Sequence, residues 1–288
     1  VVFSSELADA SMVQLGKAMK NKGYFRAQVD TAMSVKDRKV NLVYNIVANE
    51  PYKISDYQVD FRHPELLSIA TNERLALVSA GDQFDADVLN QERQRVASAM
   101  RRLGYYYFDA ECIRFLVDSM RMKQQLDVVM CLHPRIEEMT DEEQARLFRK
   151  YTINQVCFHM DYDMGRTQED ADGYSSSMDG YEFTWVGQKL LRNNVLIRNC
   201  PIRPGDRYNE RLVEQVYTRL NKRAPVKYVD VSFVPASDSM LDCHIVLSRN
   251  KLNSVSAELE GTYSAGDWGI AAGVGYANRN LFRGAEEF

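Results

Sequence analysis

Cysteine and histidine side chains lie close together at three places in this 288-residue sequence, and such pairs can bind metal ions. The pairs are Cys131-x-His133, Cys157-x-His159 and Cys243-His244. None has the ligand spacing of a zinc site, and adjacent side chains of a strand point to opposite faces of its sheet. Because unpaired cysteines are among the most buried residue types, we interpret these as thiols of the core rather than as metal ligands.

Two other motifs resemble binding loops but lack the residues that such loops need. Asp161-x-Asp163-x-Gly165 begins like a calcium loop, without its third acidic residue, its central glycine or its closing glutamate. Gly273-x-Gly275 lacks the third glycine and the following helix of a dinucleotide-binding motif. We find no catalytic partner at a suitable spacing for any histidine. The sequence therefore predicts neither an enzyme nor a cofactor.

The charge and hydropathy of the chain argue against two further classes of protein. The formal net charge is -4, and lysine and arginine form no dense cluster, so we expect no nucleic-acid partner. No run of about 18 apolar residues occurs, and the sequence therefore predicts no membrane-spanning helix.

An amphipathic helix with a capping residue occurs three times along the chain. The caps are Ser4, Asp85 and Asn209, whose side-chain oxygens can accept hydrogen bonds from the first turn of a helix. Glycine ends the first two helices, and aromatic residues follow it, in Gly23-Tyr24-Phe25 and Gly104-Tyr105-Tyr106-Tyr107. We expect these tyrosines to cover the end of the core rather than to form an exposed platform. The third copy has Arg223-Ala224-Pro225 instead.

Segments with the alternating pattern of strands accompany these helices. Residues 40–46, 126–132 and 241–247 follow them, and residues 52–61 and 151–160 open two of the units. Between the opening strand and the capped helix, residues 64–78 and 186–197 have helical spacing. Each complete unit is therefore predicted to run strand, helix, helix, strand, strand, and the fold class is α+β.

This pattern predicts four segments. Residues 1–49 are a partial repeat that lacks its first strand and helix, and residues 50–134 are a complete repeat. Residues 135–251 are the last repeat, with a polar insertion at 164–180 that we expect to be a surface loop. Residues 252–288 form two strands with a strict alternation, in which Val255, Leu259 and Tyr263 share one side. Apolar-out and polar-in alternation is typical of strands that face lipid, and a soluble hairpin remains the alternative.

The strand-helix-helix-strand-strand order, the glycine-aromatic motif and the Gly-Asp-x-Phe/Tyr lead-ins at 81–84 and 205–208 resemble the POTRA repeats of the BamA/TamA family of outer-membrane assembly proteins. Residues 273–286 resemble the start of that family's membrane β-barrel. The barrel-start residues would be Asn278, Arg279, Asn280, Leu281, Phe282, Arg283 and Gly284. Residues 227–233 are more similar to the last repeat of TamA-like members, which we favour.

The resemblance implies a function in protein insertion at the bacterial outer membrane. Periplasmic repeats would bind unfolded outer-membrane proteins by β-augmentation and pass them to a barrel in the lipid, without a cofactor. Accessory periplasmic assembly proteins are further expected partners. The second strand of each repeat would be the peptide-binding edge, at Arg26, Gln28 and Asp30, at Asp109, Glu111 and Ile113, and at Tyr228, Asp230 and Ser232. Polar residues at these positions could equally protect an edge from aggregation.

Two other functions fit the same pattern. A two-partner secretion transporter would use the repeats to dock an exported protein, although such transporters usually carry fewer repeats. A soluble periplasmic scaffold with POTRA repeats would have no barrel, and residues 252–288 distinguish it, because a scaffold does not need apolar outward faces.

Overall fold

The computed structural model describes residues 3–37, 39–119, 124–160, 173–251, 253–264, 267–278, 280 and 283–284. These residues form an α+β fold, which confirms the predicted class. The chain packs as two compact units. The first comprises Val1–Arg101 and Tyr107–Ala145, and the second comprises Arg102–Tyr106 and Arg146–Phe288. The four predicted segments remain a prediction, since this division follows packing rather than the sequence repeat.

The first unit begins with a helix and a two-stranded antiparallel sheet. Helix α1 covers Ser5–Asn21, and strands β1 and β2 cover Gln28–Lys36 and Lys39–Val47. The predicted cap is present, because the Leu7 N–H donates to Ser4 Oγ at 3.5 Å. Gly23 follows the helix with a left-handed φ of 86°, which a side chain would disfavour.

A complete strand-helix-helix-strand-strand order follows in the same unit. Its elements are β3 (Lys53–Asp60), α2 (Pro64–Ala70), α3 (Ala86–Arg102), β4 (Ile113–Asp118) and β5 (Gln125–Leu132). The sheet order is β3-β5-β4, with β3 parallel and β4 antiparallel to the central β5. The inward side chains of β3 and β5, Ile54, Leu126 and Val128, form a core with Val78 and Leu89.

Helix α2 is shorter than the periodicity of residues 64–78 predicts, because it ends at Ala70. The segment after it is held instead by Glu92 of α3, whose carboxylate is fully buried. Glu92 accepts a hydrogen bond from the Leu77 N–H at 3.1 Å and two from Arg95, both at 2.7 Å. Arg95 also donates to the Ile69 carbonyl at 3.3 Å. One ion pair therefore connects α3 to the last turn of α2 and to the middle of the α2–α3 loop.

The second unit contains a larger sheet. Its elements are β6 (Thr152–Met160), β7 (Gly173–Met178), β8 (Tyr181–Val186), α5 (Asn193–Asn199), α6 (Glu210–Asn221), β9 (Val226–Ser237) and β10 (Met240–Arg249), and a short helix α4 (Asp141–Leu147) comes before them. The strand order is β7-β8-β6-β10-β9. Strands β6, β10 and β9 are arranged like the three strands of the first unit's β3-β5-β4 sheet.

The insertion at 164–180 differs from the surface loop that its composition predicts. Residues 173–178 form β7, which pairs antiparallel with β8 and extends the sheet beyond β6. The turn between them is Asp179-Gly180, with φ values of 53° and 78°. An Asp-Gly pair is a strong hairpin signal, because both positions need a positive φ, and the composition of the segment obscured it. Residues 164–172 lie outside the described part of the chain. The helix predicted at 186–197 starts later than expected. Val186 is the last residue of β8, and the observed helix α5 begins at Asn193.

The last element is a hairpin of two long antiparallel strands, β11 (Asn253–Ser264) and β12 (Asp267–Asn278). Its register pairs Asn253 with Asn278 and Ser264 with Asp267, so both strands are paired along their whole length. Within the described residues, every helix is too short or too polar to cross a membrane.

Candidate functional site

The predicted edge residues of the first repeat lie at or next to β1. Gln28 and Asp30 belong to the strand, and Arg26 precedes it. The Arg26 carbonyl accepts a hydrogen bond from the Asn49 side chain at 2.8 Å, and the Asp30 carboxylate accepts one from the Thr31 N–H at 2.8 Å. These contacts lie at the start of β1, and β1 pairs with β2 along its whole length.

The edge of the second repeat begins later than the sequence predicts. Asp109 and Glu111 lie before β4, in a 3-10 turn that Asp109 caps by accepting from the Cys112 N–H at 3.1 Å. Glu111 pairs with Arg93 of α3 at 3.4 Å. Ile113 starts the strand, but its side chain is buried and its N–H donates to the Ala110 carbonyl. Asp109 and Glu111 therefore precede the edge strand, Ile113 begins it, and the peptide-binding role of all three residues stays a prediction.

The free donors of β4 are the next residues along the strand. The His133 N–H donates to the Cys112 carbonyl at 2.8 Å, which makes these residues a hydrogen-bonded pair of the β4–β5 ladder. Because such pairs alternate in an antiparallel ladder, Phe115 and Val117 turn their backbone N–H and C=O groups away from β5. Val117 is also exposed. These two residues offer an added strand the hydrogen bonds that it needs.

The edge of the third repeat is partly covered by a side chain of the same unit. The Val231 N–H of β9 donates to the hydroxyl of Tyr217, on α6, at 3.0 Å. This N–H therefore points away from β10, and alternation turns the N–H groups of Tyr228, Asp230 and Ser232 towards β10. The three predicted residues lie on the edge strand, but they are not its free donors. Tyr217 occupies the helix position that Arg93 holds in the second repeat, and no sequence signal identified it.

The glycine-aromatic motif packs in the same way at both of its occurrences. In the first unit, the Gly23 carbonyl accepts from the Tyr52 N–H at 2.9 Å, and the Phe25 ring contacts Tyr52 and Phe84 at centroid distances of 5.1 and 5.3 Å. In the second unit, the Gly104 carbonyl accepts from the Tyr151 N–H at 2.9 Å.

The second-unit copy of the motif adds a larger aromatic cluster. The Tyr106 ring contacts Tyr208 at 5.0 Å, Phe233 at 5.6 Å and Tyr151 at 6.2 Å. Tyr105 is buried beside it. In both copies an aromatic ring of the motif, Phe25 or Tyr106, packs beside the opening strand, and we call each an aromatic plug. Tyr105 and Tyr106 therefore pack against the unit and do not form an exposed platform.

Two of the sequence-flagged histidines meet on the polar face of the second sheet, because β10 runs parallel to β6. His159 Nε2 lies 2.9 Å from His244 Nδ1, and His159 Nδ1 lies 2.7 Å from Thr184 Oγ1. Cys157 Sγ lies on the same face, 3.7 Å from Glu182 Oε2. Burial raises the pKa of the Cys157 thiol to about 12, so it is protonated at neutral pH. No group of three or more such side chains within the described residues is arranged to hold a metal ion.

The histidine pair predicts a pH-dependent stability for the second unit. Burial, and then the neighbouring His244, hold the pKa of His159 below its ordinary value of 6.5. His159 therefore binds a proton more readily in the unfolded chain than in the folded unit, and the folded unit loses stability as the pH falls below about 6.5. The loss approaches at most about 1.4 kcal/mol per pH unit until His159 itself is protonated. Urea unfolding followed by Trp185 fluorescence, in a Trp268→Phe background, measures it between pH 8 and pH 5.

His159→Gln should flatten this pH profile, because glutamine does not titrate. His133→Asn is the matched control, since His133 caps a turn elsewhere by accepting from the Arg135 N–H. A profile that stays equally steep in His159→Gln would contradict the assignment of this pH dependence to the pair.

The β11–β12 hairpin carries one continuous apolar face. Leu259 and Ile270 are 84% and 86% exposed, and the Tyr263 and Trp268 rings contact each other at 4.9 Å at the turn end. The opposite face pairs Glu258 with Gly273 and Glu260 with Ala271, so one side is polar or nearly without side chains.

The residues predicted to start a barrel lie at the end of β12 and beyond. Asn278 is the last residue of the strand, and Asn280 is buried, with its side-chain amide donating to the Leu190 carbonyl at 2.7 Å. The Arg283 carbonyl accepts from the Arg192 N–H at 3.1 Å, and Gly284 lies next to it. Arg279, Leu281 and Phe282 lie outside the described residues. The motif thus connects the hairpin to the loop before α5.

Comparisons with known proteins concern the fold. No protein-family model and no curated protein sequence matches the chain. Among solved structures, it is similar to Haemophilus influenzae BamA POTRA3-5, with 15% identity, 86% of this chain and 82% of that chain covered, and a TM-score of 0.47. The chain is also similar to BamA from Haemophilus ducreyi lacking POTRA domains 1-3, with 14% identity and a TM-score of 0.47. That match covers 80% of this chain and 35% of that chain. A third similar structure is CdiB from Acinetobacter baumannii, with 11% identity and a TM-score of 0.34. That match covers 97% of this chain and 44% of that chain. The chain spans less than half of the last two, and the TamA-like assignment stays a prediction.

Proposed function

We propose that this chain is the periplasmic, repeat-bearing part of an outer-membrane protein assembly factor. Its repeats bind unfolded outer-membrane proteins by adding a client strand to a free sheet edge, and β11–β12 begin a barrel that contacts outer-membrane lipid. The chain acts by binding and templating, without a cofactor and without enzymatic chemistry. Accessory periplasmic proteins are further partners in the proposal.

The observation that carries the proposal is the β11–β12 hairpin. A two-stranded hairpin with a row of large apolar side chains exposed on one face is unfavourable in water, because single hairpins are marginally stable and such faces promote association. The same face is favourable against lipid, and Tyr263, Trp268 and Tyr276 suit the boundary between lipid and water. A soluble scaffold has no use for this face.

The second repeat supports the client-binding part of the proposal. Within the described residues, no strand pairs with the outward backbone groups of Phe115 and Val117 on β4, and an extended peptide that pairs there continues the sheet by one strand. Exposed Leu116 and Val117 give the added strand apolar neighbours on both faces. Binding through backbone atoms suits clients of varied sequence.

Val117→Pro tests this client edge. Proline removes an N–H that points away from β5, so the β4–β5 ladder keeps its hydrogen bonds while the added strand loses a donor. We expect crosslinking to unfolded outer-membrane proteins, through a photoreactive residue at Leu116, to fall about tenfold. Val117→Thr is the matched control, because it changes the side chain and keeps the N–H. Unchanged crosslinking in a folded Val117→Pro protein would argue against strand pairing at β4.

The membrane part of the proposal has its own measurement. Protein extracted from the membranes of the producing bacterium is compared on gels with and without boiling. A faster unboiled band is the expected result, since folded barrels resist denaturation in detergent. A single unshifted band from the soluble fraction would instead support a soluble scaffold.

A further inference from the structure

The five-stranded sheet of the second unit ends in two different edge strands. On one side lies β9, whose Val231 N–H is already bound by the Tyr217 hydroxyl. Strand β9 also contains Lys227 and Pro235, and its pairing with β10 has two register irregularities. Lysine, proline and bulges are features by which proteins discourage an extra strand from pairing. The β9 edge is therefore protected.

The other edge strand, β7, has none of these features. Its sequence, Gly-Tyr-Ser-Ser-Ser-Met, contains no charged residue and no proline, and its pairing with β8 is regular. Among the described residues, no strand pairs with its outer side. A free, neutral and regular edge is a template for another strand.

The register of the β7–β8 hairpin shows which backbone groups are available. The two-residue Asp179-Gly180 turn is closed by the pair Met178 and Tyr181, and such a turn ends on a hydrogen-bonded pair. Alternation then turns the N–H and C=O groups of Ser175 and Ser177 away from β8. Both residues are exposed.

The side chains of β7 indicate the pattern of its partner. On one face, Tyr174 is 59% exposed and its ring stacks on Trp185 at a centroid distance of 5.9 Å, and exposed Met178 lies on the same face. On the other face, Ser175 and Ser177 continue the polar side of the sheet, where they are paired with Thr184 and Glu182. A strand beside β7 would thus meet apolar side chains on one face and polar side chains on the other.

We propose that the outer edge of β7 binds an extended peptide in which apolar and polar residues alternate. The inserted hairpin thereby moves the strand-accepting edge of this repeat from β9, which Tyr217 covers, to β7. This inference deepens the proposed function, on which it rests, by naming a second client edge and the client pattern that it selects. Segments with this pattern are those that form amphipathic strands.

The test uses the full chain with Val117→Pro, which removes a donor of the β4 edge, and a labelled peptide of about ten residues in which valine and serine alternate. Fluorescence anisotropy measures the dissociation constant of the peptide. We expect Ser175→Pro, added to this background, to weaken binding about tenfold, because one backbone donor is lost, and Ser175→Ala to bind like the background chain. Two peptides are also compared, one N-methylated at the odd and one at the even backbone nitrogens. Only one of the two should bind more weakly, because only every second N–H of a paired strand faces β7. Non-specific apolar binding would not distinguish the two peptides.

A second measurement keeps the test decisive if Ser175→Pro disturbs the hairpin, which Trp185 fluorescence would report. A photoreactive residue at Ser177 should crosslink to the alternating peptide, and one at Ser232, on the protected β9 edge, should crosslink less. Equal binding by a folded Ser175→Pro chain, or no crosslink from Ser177, would overturn the proposal.

The variants also separate this inference from the proposed function. If Val117→Pro reduces client crosslinking and Ser175→Pro changes neither clients nor peptide, the β7 edge is not used, and strand pairing at β4 stands. If neither variant has an effect, strand pairing itself is contradicted. Tyr217→Phe adds a positive control, because loss of the hydroxyl frees the Val231 N–H and should increase peptide binding at β9.

Discussion

Glu92→Ala should destabilise the first unit by about 3–5 kcal/mol, because it leaves the Arg95 guanidinium without its buried partner. The Glu92 carboxylate is fully buried and accepts three hydrogen bonds, one from the Leu77 backbone and two from Arg95. Its removal leaves a charge and a backbone donor unpaired and opens space beside α3. Hydrogen exchange of the β3 and β5 amides, followed by mass spectrometry, measures the change.

Two matched variants distinguish the causes of this loss. Glu92→Gln keeps an acceptor for the Leu77 N–H and removes the charge, so we expect an intermediate loss of stability. Glu92→Leu combined with Arg95→Leu replaces the pair with apolar side chains, and it should recover much of the stability lost in Glu92→Ala. If the double variant is as unstable as Glu92→Ala, the cost comes from the α2–α3 loop rather than from an unpaired charge.

Gly23→Ala should cost the first unit about 3 kcal/mol, the second-largest effect that we expect. Gly23 has a φ of 86°, and an added Cβ would lie 2.6 Å from the Phe84 carbonyl oxygen. Because that neighbour is backbone, it can move only by displacing the segment that enters α3. The Phe25 plug and the hydrogen bond from the Tyr52 N–H should loosen together, which hydrogen exchange at Tyr52 and Phe84 would show.

Gly81→Ala is the control for Gly23→Ala. Gly81 has a similar φ of 95°, but an added Cβ would meet no atom within 4 Å. Its cost should therefore be the backbone strain alone, about 1 kcal/mol. Equal losses in the two variants would show that the close approach to Phe84 contributes nothing.

The repeat order and the faces of the strands could be predicted from the sequence. The alternation at 126–132 and 241–247 identified β5 and β10, and the caps at Ser4 and Asn209 located the starts of α1 and α6. These signals are local, because a cap or a period of two involves only neighbouring residues. The hairpin β11–β12 was predicted for the same reason.

The free strand edges could not be predicted in the same way. An edge donor at Phe115 instead of Ile113, or a donor at Val231 covered by Tyr217, depends on the register of a ladder between distant segments. A register shift of one residue exchanges the inward and outward backbone groups of a strand, and the sequence of the strand does not indicate which register is adopted. The same reason explains why the pair His159 and His244 was missed, since the two residues meet only through the parallel pairing of β6 and β10.

The sequence by itself determined the α+β class, the order of elements in each repeat and the apolar face of the final hairpin, because these follow from periodicity and turn chemistry along the chain. Only the tertiary structure decided which backbone groups remain free, how Glu92 anchors the α2–α3 loop, and that the polar insertion adds β7 to a sheet. Each of these depends on pairing between segments far apart in the chain, and the free energy of that pairing is shared among all the contacts of the folded unit.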